Sequence, residues 1–139
     1  ADSIKDKFNP YYLVWDDVEE NDQSFAWPYG LVSIKITSLK LVFKDAYPNN
    51  PSFKNGFTLF RTHCMKCHSI NKVGGSIGPE FNVPKNITEY WRDEDIVAFA
   101  KNPNAYRRGS IMPAISTITN SDYKEIVAYI RYMKEFKID

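Results

Sequence analysis

Apolar residues recur with a helical period in the second part of this 139-residue chain. Three phenylalanines within residues 53–60 lie at i, i+4 and i+7, which predicts a helix that begins near Ser52. A second helix is predicted over Asp93–Lys101, and a third begins near Thr119 or Ser121 and carries a stripe of apolar residues. Glycine, proline and asparagine are common between these segments, as they are in loops. The pattern therefore predicts a mainly α domain.

The first 50 residues follow a different pattern. Leu31–Leu41 alternates between apolar and polar side chains, which favours a strand, and Tyr11–Trp15 is predicted to form a shorter one. Nine aromatic residues distinguish this segment from a disordered tail, because such tails are poor in aromatics. The turn-forming sequence Ala46–Pro51 marks a boundary. We therefore predict a small β-containing extension over residues 1–50 and a helical domain over residues 51–139.

Charge is distributed unevenly, although the net charge is only +1. Residues 1–50 hold five basic and eight acidic residues, a net charge of −3, whereas the remainder holds 13 basic and nine acidic residues, a net charge of +4. The acidic run Asp16–Asp22 is interpreted as a loop between the two strands, either simply solvated or used for docking. The small net charge argues against nucleic-acid binding. No apolar run reaches the roughly 18 residues of a membrane-spanning helix, so no integral membrane segment is expected.

The stretch Cys64–His68 carries the strongest chemical signal in the chain. It reads C-x-x-C-H, the attachment signature of a covalently bound haem c. The thiols of Cys64 and Cys67 are spaced to add to the two vinyl groups of one porphyrin. His68 follows directly and is placed to give an imidazole nitrogen to the iron. One covalent haem c is therefore the predicted cofactor, with His68 as an iron ligand.

Other interpretations of this stretch account for less. A zinc site built from the two cysteines, His63 and His68 would place four ligands within six residues. Structural zinc sites usually draw ligand pairs from separated segments, and the chain offers no second pair. A redox-active C-x-x-C pair is expected in a βαβ context, which does not precede it here. A disulfide between Cys64 and Cys67 would leave His68 without a role.

Residues from about Ser52 onward resemble a class I c-type cytochrome, a mono-haem family. The C-x-x-C-H motif follows a predicted helix that contains Gly56 and Phe60, as the motif follows G-x-x-x-F in that family. Tyr129 is similar to the aromatic residue of the family's last helix, which packs where the glycine lets the two helices cross. The resemblance implies a cytochrome c fold around one haem, and it leaves residues 1–50 unassigned.

Two loop sequences complete the resemblance and imply further haem contacts. Gly78-Pro79 is similar to a Gly-Pro pair of the family, which implies that the Pro79 carbonyl accepts a hydrogen bond from His68. An acceptor at that position fixes the tautomer of the imidazole and raises its basicity. Met112-Pro113 looks like the Met-Pro loop of the family, which implies that Met112 is the second iron ligand.

The remaining candidates for the second iron ligand are less suited to it. Met65 lies between the two cysteines, and Met133 fits the buried stripe of the last helix. His63 adjoins the motif and cannot reach the opposite face of the ring. The side chains predicted around the haem are the aromatics Phe81, Tyr90 and Trp91 and, with solvated loop charges as the alternative, Arg107 and Arg108.

These features predict a one-electron carrier rather than an enzyme, with redox proteins of unknown identity as partners. The chain begins at Ala1, which fits a mature protein whose signal peptide has been removed. Haem c is attached outside the bacterial cytoplasm, so a periplasmic location is expected. Two alternatives keep the haem. A displaceable Met112 would give a gas-binding sensor or a peroxidase-like enzyme, and a permanent interface through residues 1–50 would give an electron-transfer subunit of a periplasmic dehydrogenase.

Overall fold

The computed structural model describes residues 10–16, 18 and 28–138. The chain divides into two compact units between Ser38 and Leu39. This division lies about a dozen residues before the boundary that the turn-forming sequence near residue 50 predicts. Residues 39–50 therefore belong to the same unit as the predicted helical domain.

The first unit contains little regular structure in its described residues. Tyr12 and Tyr29 form an isolated antiparallel bridge. The Leu31 amide donates a hydrogen bond to the Tyr11 carbonyl at 2.9 Å, which continues the same pairing. The strand predicted over Tyr11–Trp15 is thus reduced to one bridge and its neighbouring hydrogen bonds.

The strand predicted over Leu31–Leu41 is wrong. Residues 31–38 have no regular secondary structure, and Leu39–Phe43 forms helix α1. An alternating sequence forms a stable strand only where a neighbouring strand pairs with it and its apolar side is covered. The apolar side chains of the alternation are exposed instead, Val32 to 81%, Ile34 to 75% and Ile36 to 96%.

Most of the predicted acidic loop Asp16–Asp22 lies outside the described residues.

The second unit is helical, as predicted, with one very small sheet. After α1, its elements are α2 (Lys54–His63), β1 (Ser69–Ile70), β2 (Val73–Gly74), α3 (Asp93–Lys101), α4 (Pro103–Tyr106) and α5 (Asn120–Met133). Strands β1 and β2 form an antiparallel pair of two residues each. Single 3-10 turns occupy Lys44–Ala46, Pro51–Phe53, Ile87–Glu89 and Lys134–Phe136.

The crossing of α2 and α5 forms the centre of this unit. A Cβ atom added at Gly56 of α2 would lie 2.2 Å from the Glu125 carbonyl oxygen and 2.8 Å from the Tyr129 Cβ of α5. Only glycine therefore allows the two backbones to approach this closely. Phe57 and Phe60 are 1% and 0% exposed and pack against Tyr129, with ring centroids 5.8 and 5.6 Å apart. The helix crossing that the family resemblance implied is present.

Residues just before α2 are part of the same core. Ala46 is fully buried, and its carbonyl accepts a hydrogen bond of 2.6 Å from the Tyr129 hydroxyl. The Phe43 ring meets the Phe57 ring edge-on at 5.4 Å. These contacts explain why the haem-motif unit begins at Leu39 rather than near residue 50.

Capping residues set the ends of the helices. The Asn50 side chain accepts a hydrogen bond from the Ser52 amide at 3.0 Å and starts the 3-10 turn before α2. Thr119 and Asp122 form a reciprocal capping box at the start of α5, where a helix start was predicted. Helix α3 has its predicted bounds, but Pro103 starts the short helix α4 instead of a loop.

Replacing Gly56 by alanine tests the helix crossing. Alanine has the higher helix propensity by about 1 kcal/mol, so the intrinsic preference predicts a gain in stability. The clash with the Glu125 carbonyl predicts the opposite sign, because overpacking typically costs about 1–3 kcal/mol. We expect Gly56→Ala to lower the free energy of unfolding measured by chemical denaturation. Asn55→Ala, at an exposed position of the same helix, is the control and should change stability by less than about 0.5 kcal/mol. A Gly56→Ala protein as stable as the wild type would contradict this packing.

Candidate haem site

The C-x-x-C-H residues lie in a tight turn at the end of α2. Cys64 follows the last residue of the helix, and its amide donates to the Phe60 carbonyl at 2.8 Å. The Cys64 carbonyl accepts hydrogen bonds from the amides of Cys67 and His68 at 3.1 and 2.9 Å. The turn therefore holds the two cysteines and the histidine as one rigid group, and both cysteines are free thiols.

The His68 imidazole is buried and oriented by one hydrogen bond. Its side chain is 6% exposed, and Nδ1 lies 2.8 Å from the Pro79 carbonyl oxygen. A carbonyl can only accept, so Nδ1 carries the proton. Burial lowers the pKa of His68 below its ordinary value, and the hydrogen bond to Pro79 only partly opposes that effect. The imidazole is therefore neutral at pH 7, and the lone pair of Nε2 is available to a metal.

Gly78 and Phe81 enclose this imidazole. A Cβ atom at Gly78 would lie 2.4 Å from His68 Cε1, so the main chain passes directly against the ring. The Phe81 ring stacks on the imidazole with centroids 4.3 Å apart and an angle of 27° between the planes. The Gly78 amide also donates to the Cys67 carbonyl at 2.7 Å, which closes the loop onto the motif. The imidazole thus has one defined orientation.

The Cys64 thiol is not set up as a thiolate ligand. Burial and, to a smaller extent, the neighbouring Cys67 together raise its pKa to about 12. Within residues 10–16, 18 and 28–138, no group of three or more histidine, cysteine or acidic side chains is arranged to hold a metal ion. The four potential ligands of the zinc interpretation all lie in the described part of the chain and do not form such a group. An iron that is held mainly by a porphyrin fits these residues better.

Helix α3 also fits a large apolar group. Its apolar side chains are only partly buried, and none of its residues belongs to the buried core. Phe99 of α3 meets Trp91, one of the side chains predicted around the haem, edge-on at a centroid distance of 5.6 Å. Tyr90, in contrast, is 53% exposed, with the Lys85 amine 5.8 Å from its ring centroid. A flat porphyrin would cover the apolar side that α3 leaves partly open.

The three methionines have different environments. Met65 is 6% exposed and Met133 is 2% exposed, and both belong to the hydrophobic core. Met112 is only half-buried and lies in the loop between α4 and α5. Its amide donates to the Ser110 hydroxyl at 3.3 Å. The core role expected of Met133 is therefore confirmed, and Met65 is in the core as well, which leaves Met112 as the methionine not committed to the core.

The two arginines of the same loop are exposed. Arg107 and Arg108 both lie at the surface, directly after α4. Their predicted contact with a haem propionate remains a prediction, as does the solvated alternative. His63, the last residue of α2, is half-buried.

Sequence reasoning missed one residue of this site, Glu80. It follows Pro79, and its carboxylate accepts hydrogen bonds from several backbone amides of the surrounding loop. Nothing in the residue pattern announces such a role, because a single glutamate on a loop is usually solvated. The one sequence feature that points to this turn is Asn71, because asparagine tolerates the left-handed backbone that it adopts there.

The fold and the site together fit a protein that binds a haem. Comparison with known proteins gives the family: the Cytochrome c family matches residues 53–134, which is more than half of the chain. The chain therefore belongs to the cytochrome c family, whose members bind covalent haem c with iron. The predicted fold class and cofactor are confirmed by this match.

Individual relatives align with different lengths of the chain. Cytochrome c of Euglena viridis is 27% identical over 59% of this chain and 97% of its own length, and cytochrome c of Gibberella zeae is 28% identical over 56% and 91%. Cytochrome c oxidase subunit 2 of Alkalihalophilus pseudofirmus is 29% identical over 83% of this chain, but the chain spans only about a third of that protein, 32%. No solved structure matches the chain significantly. No helix in the described part of the chain is both long and apolar enough to cross a membrane.

Covalent attachment of the cofactor can be tested directly. Acidified organic solvent should leave the haem on the protein, because thioether bonds survive it, and the intact mass should equal one polypeptide plus one haem. A protein with both Cys64→Ala and Cys67→Ala is the control and should release any bound haem into the solvent. Extraction of the haem from the wild-type protein would refute attachment through these cysteines.

Proposed function

We propose that this protein is a one-electron carrier in which His68 and Met112 hold the haem iron from opposite faces. The observation that carries the proposal is the neutral, fully oriented His68 imidazole, with Nδ1 on the Pro79 carbonyl and Nε2 left to a metal. A bound haem c supplies a ferric/ferrous couple, and the membership in the cytochrome c family supports electron transfer as its use. The site residues are thus Cys64 and Cys67 for attachment, His68 and Met112 for the iron, and Pro79 for orientation.

The geometry around His68 suits electron transfer, because it limits movement at the iron. The Pro79 carbonyl, the stacked Phe81 ring and the Gly78 backbone all fix the same imidazole. A ligand held in this way keeps its position when the iron changes oxidation state. The carbonyl also raises the basicity of the imidazole, which stabilises the ferric form.

Met112 is the best-supported second ligand. A thioether is the ligand that raises the potential of a haem in electron-transfer proteins. Met65 and Met133 are packed in the core, whereas Met112 is half-buried on a loop of the second unit. With both iron positions filled, the protein binds no substrate at the metal, which distinguishes a carrier from a gas sensor or a peroxidase-like enzyme. We further propose a periplasmic location, since haem c is attached outside the bacterial cytoplasm.

A second candidate function is that of an electron-transfer subunit in a larger redox assembly. The alignment with cytochrome c oxidase subunit 2 covers 83% of the chain, while only 87 residues follow position 52. The alignment must therefore include part of the first 52 residues, beyond the family match. In that part Val32, Ile34 and Ile36 are exposed and alternate with polar residues. This pattern suits pairing with a strand of a redox partner protein.

Replacing Met112 by alanine tests the proposed ligation. The wild-type ferric protein should be low-spin and show the weak long-wavelength absorption band of a thioether on iron. Met112→Ala should abolish that band, lower the reduction potential and open the iron to small ligands, because a water molecule then replaces the thioether. Met65→Ala, which removes a core methionine, is the control and should lower stability but keep the band. An unchanged spectrum in Met112→Ala would refute Met112 as the ligand and favour a sensor or enzyme.

The positive charge of the second part of the chain predicts how the carrier meets a reductant or oxidant. Lys66 lies within the motif and Arg108 on the loop of Met112, and both are exposed. Oxidation of the reduced protein by the anion hexacyanoferrate(III) should slow as salt rises, since salt screens attraction beyond about 8 Å. Oxidation by a cationic cobalt(III) complex should show the opposite trend.

Charge reversal tests which basic residues cause the salt dependence of the rate. Lys66→Glu and Arg108→Glu together should remove most of the salt dependence with hexacyanoferrate(III), whereas Lys54→Glu, at the opposite end of α2, should leave most of it. Salt-independent rates, or equal effects of both variants, would contradict docking through these basic residues. That outcome would favour the apolar residues 32–36 as the contact surface and, with it, the subunit hypothesis.

A further inference from the structure

The Glu80 side chain is the centre of a hydrogen-bond network that joins two segments of the haem-site loop. One segment is the turn between β1 and β2, and the other is the chain that leaves Pro79. The Ser69 hydroxyl donates a hydrogen bond to the Glu80 carboxylate. The carboxylate Oε1 accepts from the amides of Asn71 at 3.1 Å, Asn82 at 2.6 Å and Val83 at 3.1 Å, and Oε2 accepts from the amide of Lys72 at 3.0 Å.

The turn between β1 and β2 has a backbone conformation whose amides can bind an anion. Asn71 and Lys72 have φ angles of +52° and +63°, which are unusual for residues other than glycine. A two-residue turn of this kind matches the twist of a hairpin and points successive amides to one side. Both amides donate to Glu80, so the carboxylate stabilises a conformation that these residues otherwise adopt at a cost.

The network is tied to the His68 imidazole through immediate neighbours. Ser69 follows His68, and Glu80 follows Pro79. Ser69 and Glu80 form a parallel β-bridge, and the Phe81 amide donates to the Ser69 carbonyl at 2.9 Å. The hydrogen bond between His68 and Pro79 therefore has a second connection beside it, which links the next residue of each segment, Ser69 and Glu80. Movement of Glu80 would move Pro79 away from the imidazole.

The carboxylate is ionised at neutral pH. Burial by itself raises the pKa of Glu80, but hydrogen bonds from Lys72, Asn82, Ser69 and Val83 outweigh burial and lower the pKa below its ordinary value. Glu80 is thus a partly buried negative charge that backbone amides and the Ser69 hydroxyl stabilise. Hydrogen bonds to a charged acceptor are about twice as strong as neutral ones.

We propose that Glu80 is a positioning residue for His68: its carboxylate holds the loop so that the Pro79 carbonyl stays on Nδ1 of the imidazole. The inference rests on the proposed role of His68 as an iron ligand. A firmly held acceptor raises the basicity of the imidazole, and the negative charge of Glu80 adds to this effect. Both stabilise the ferric form and lower the reduction potential.

Glu80→Gln tests this role with almost no change of shape. The amide oxygen of glutamine can replace Oε1, but its NH₂ group then meets the Lys72 amide, donor against donor. We expect the electron-exchange equilibrium with a reference redox couple to shift toward the ferrous form by about threefold to tenfold; tenfold corresponds to 59 mV for one electron. The NMR signal of the His68 Nδ1 proton in the ferrous protein should shift as well, because its acceptor has moved.

Two further variants separate geometry from charge. Glu94→Gln removes one exposed carboxylate of α3 and should change neither the equilibrium nor the His68 signal appreciably. Glu80→Asp keeps the charge but is one methylene too short to reach both segments, so it should shift the His68 signal. It also serves as the milder variant if Glu80→Gln does not yield folded holoprotein.

The outcomes distinguish this role from the proposed function. If Glu80→Gln behaves like Glu94→Gln, or if Glu80→Asp leaves the His68 signal in place, Glu80 does not position the imidazole. Either result leaves the electron-carrier proposal intact, provided that the wild-type holoprotein is low-spin with a histidine ligand. A wild-type spectrum without histidine ligation would refute the proposed function itself.

Discussion

The hydrogen bond between the His68 imidazole and the Pro79 carbonyl is the constraint on which the site depends. It decides which ring nitrogen carries the proton, and it leaves the lone pair of the other nitrogen available to a metal. The elements around it maintain this bond: the turn at the end of α2 places His68, Gly78 lets the main chain approach the ring, and the Glu80 network holds the segment that contains Pro79. A mobile imidazole would exchange electrons more slowly, because its rearrangement would accompany each change of oxidation state.

The helix crossing supplies the rigid base for this arrangement. Gly56 allows α2 and α5 to approach, and Tyr129 links that crossing to Ala46 before α2. Three fully buried asparagine side chains extend the connection to the haem-site loop. They bond to one another and to carbonyls near the end of α5, in the order Asn71, Asn82, Asn86. Asn71 and Asn82 belong to both networks: their backbone amides donate to Glu80, and their side chains form part of the asparagine series. The loop is therefore fixed from two directions.

Sequence reasoning succeeded where local rules decide the structure. The bounds of α3 follow from its acidic first turn and its apolar positions, and the motif Cys64–His68 indicates its cofactor by spacing alone. It failed for Leu31–Leu41, because alternation does not show whether a pairing strand exists. It also missed Glu80, because that role depends on the left-handed backbone of Asn71 and Lys72 and on the contact between two segments. Such contacts are set by tertiary structure, which residue types at fixed spacings do not report.

The proposed electron carrier requires a haem iron with a histidine and a thioether ligand in both oxidation states. Absorption spectra of the wild-type holoprotein, recorded oxidised and reduced and then with carbon monoxide added, test it most directly. We expect low-spin spectra in both states, and a reduced spectrum that carbon monoxide leaves unchanged. A high-spin reduced spectrum that carbon monoxide converts at once would show an open iron position and would contradict the electron-carrier account.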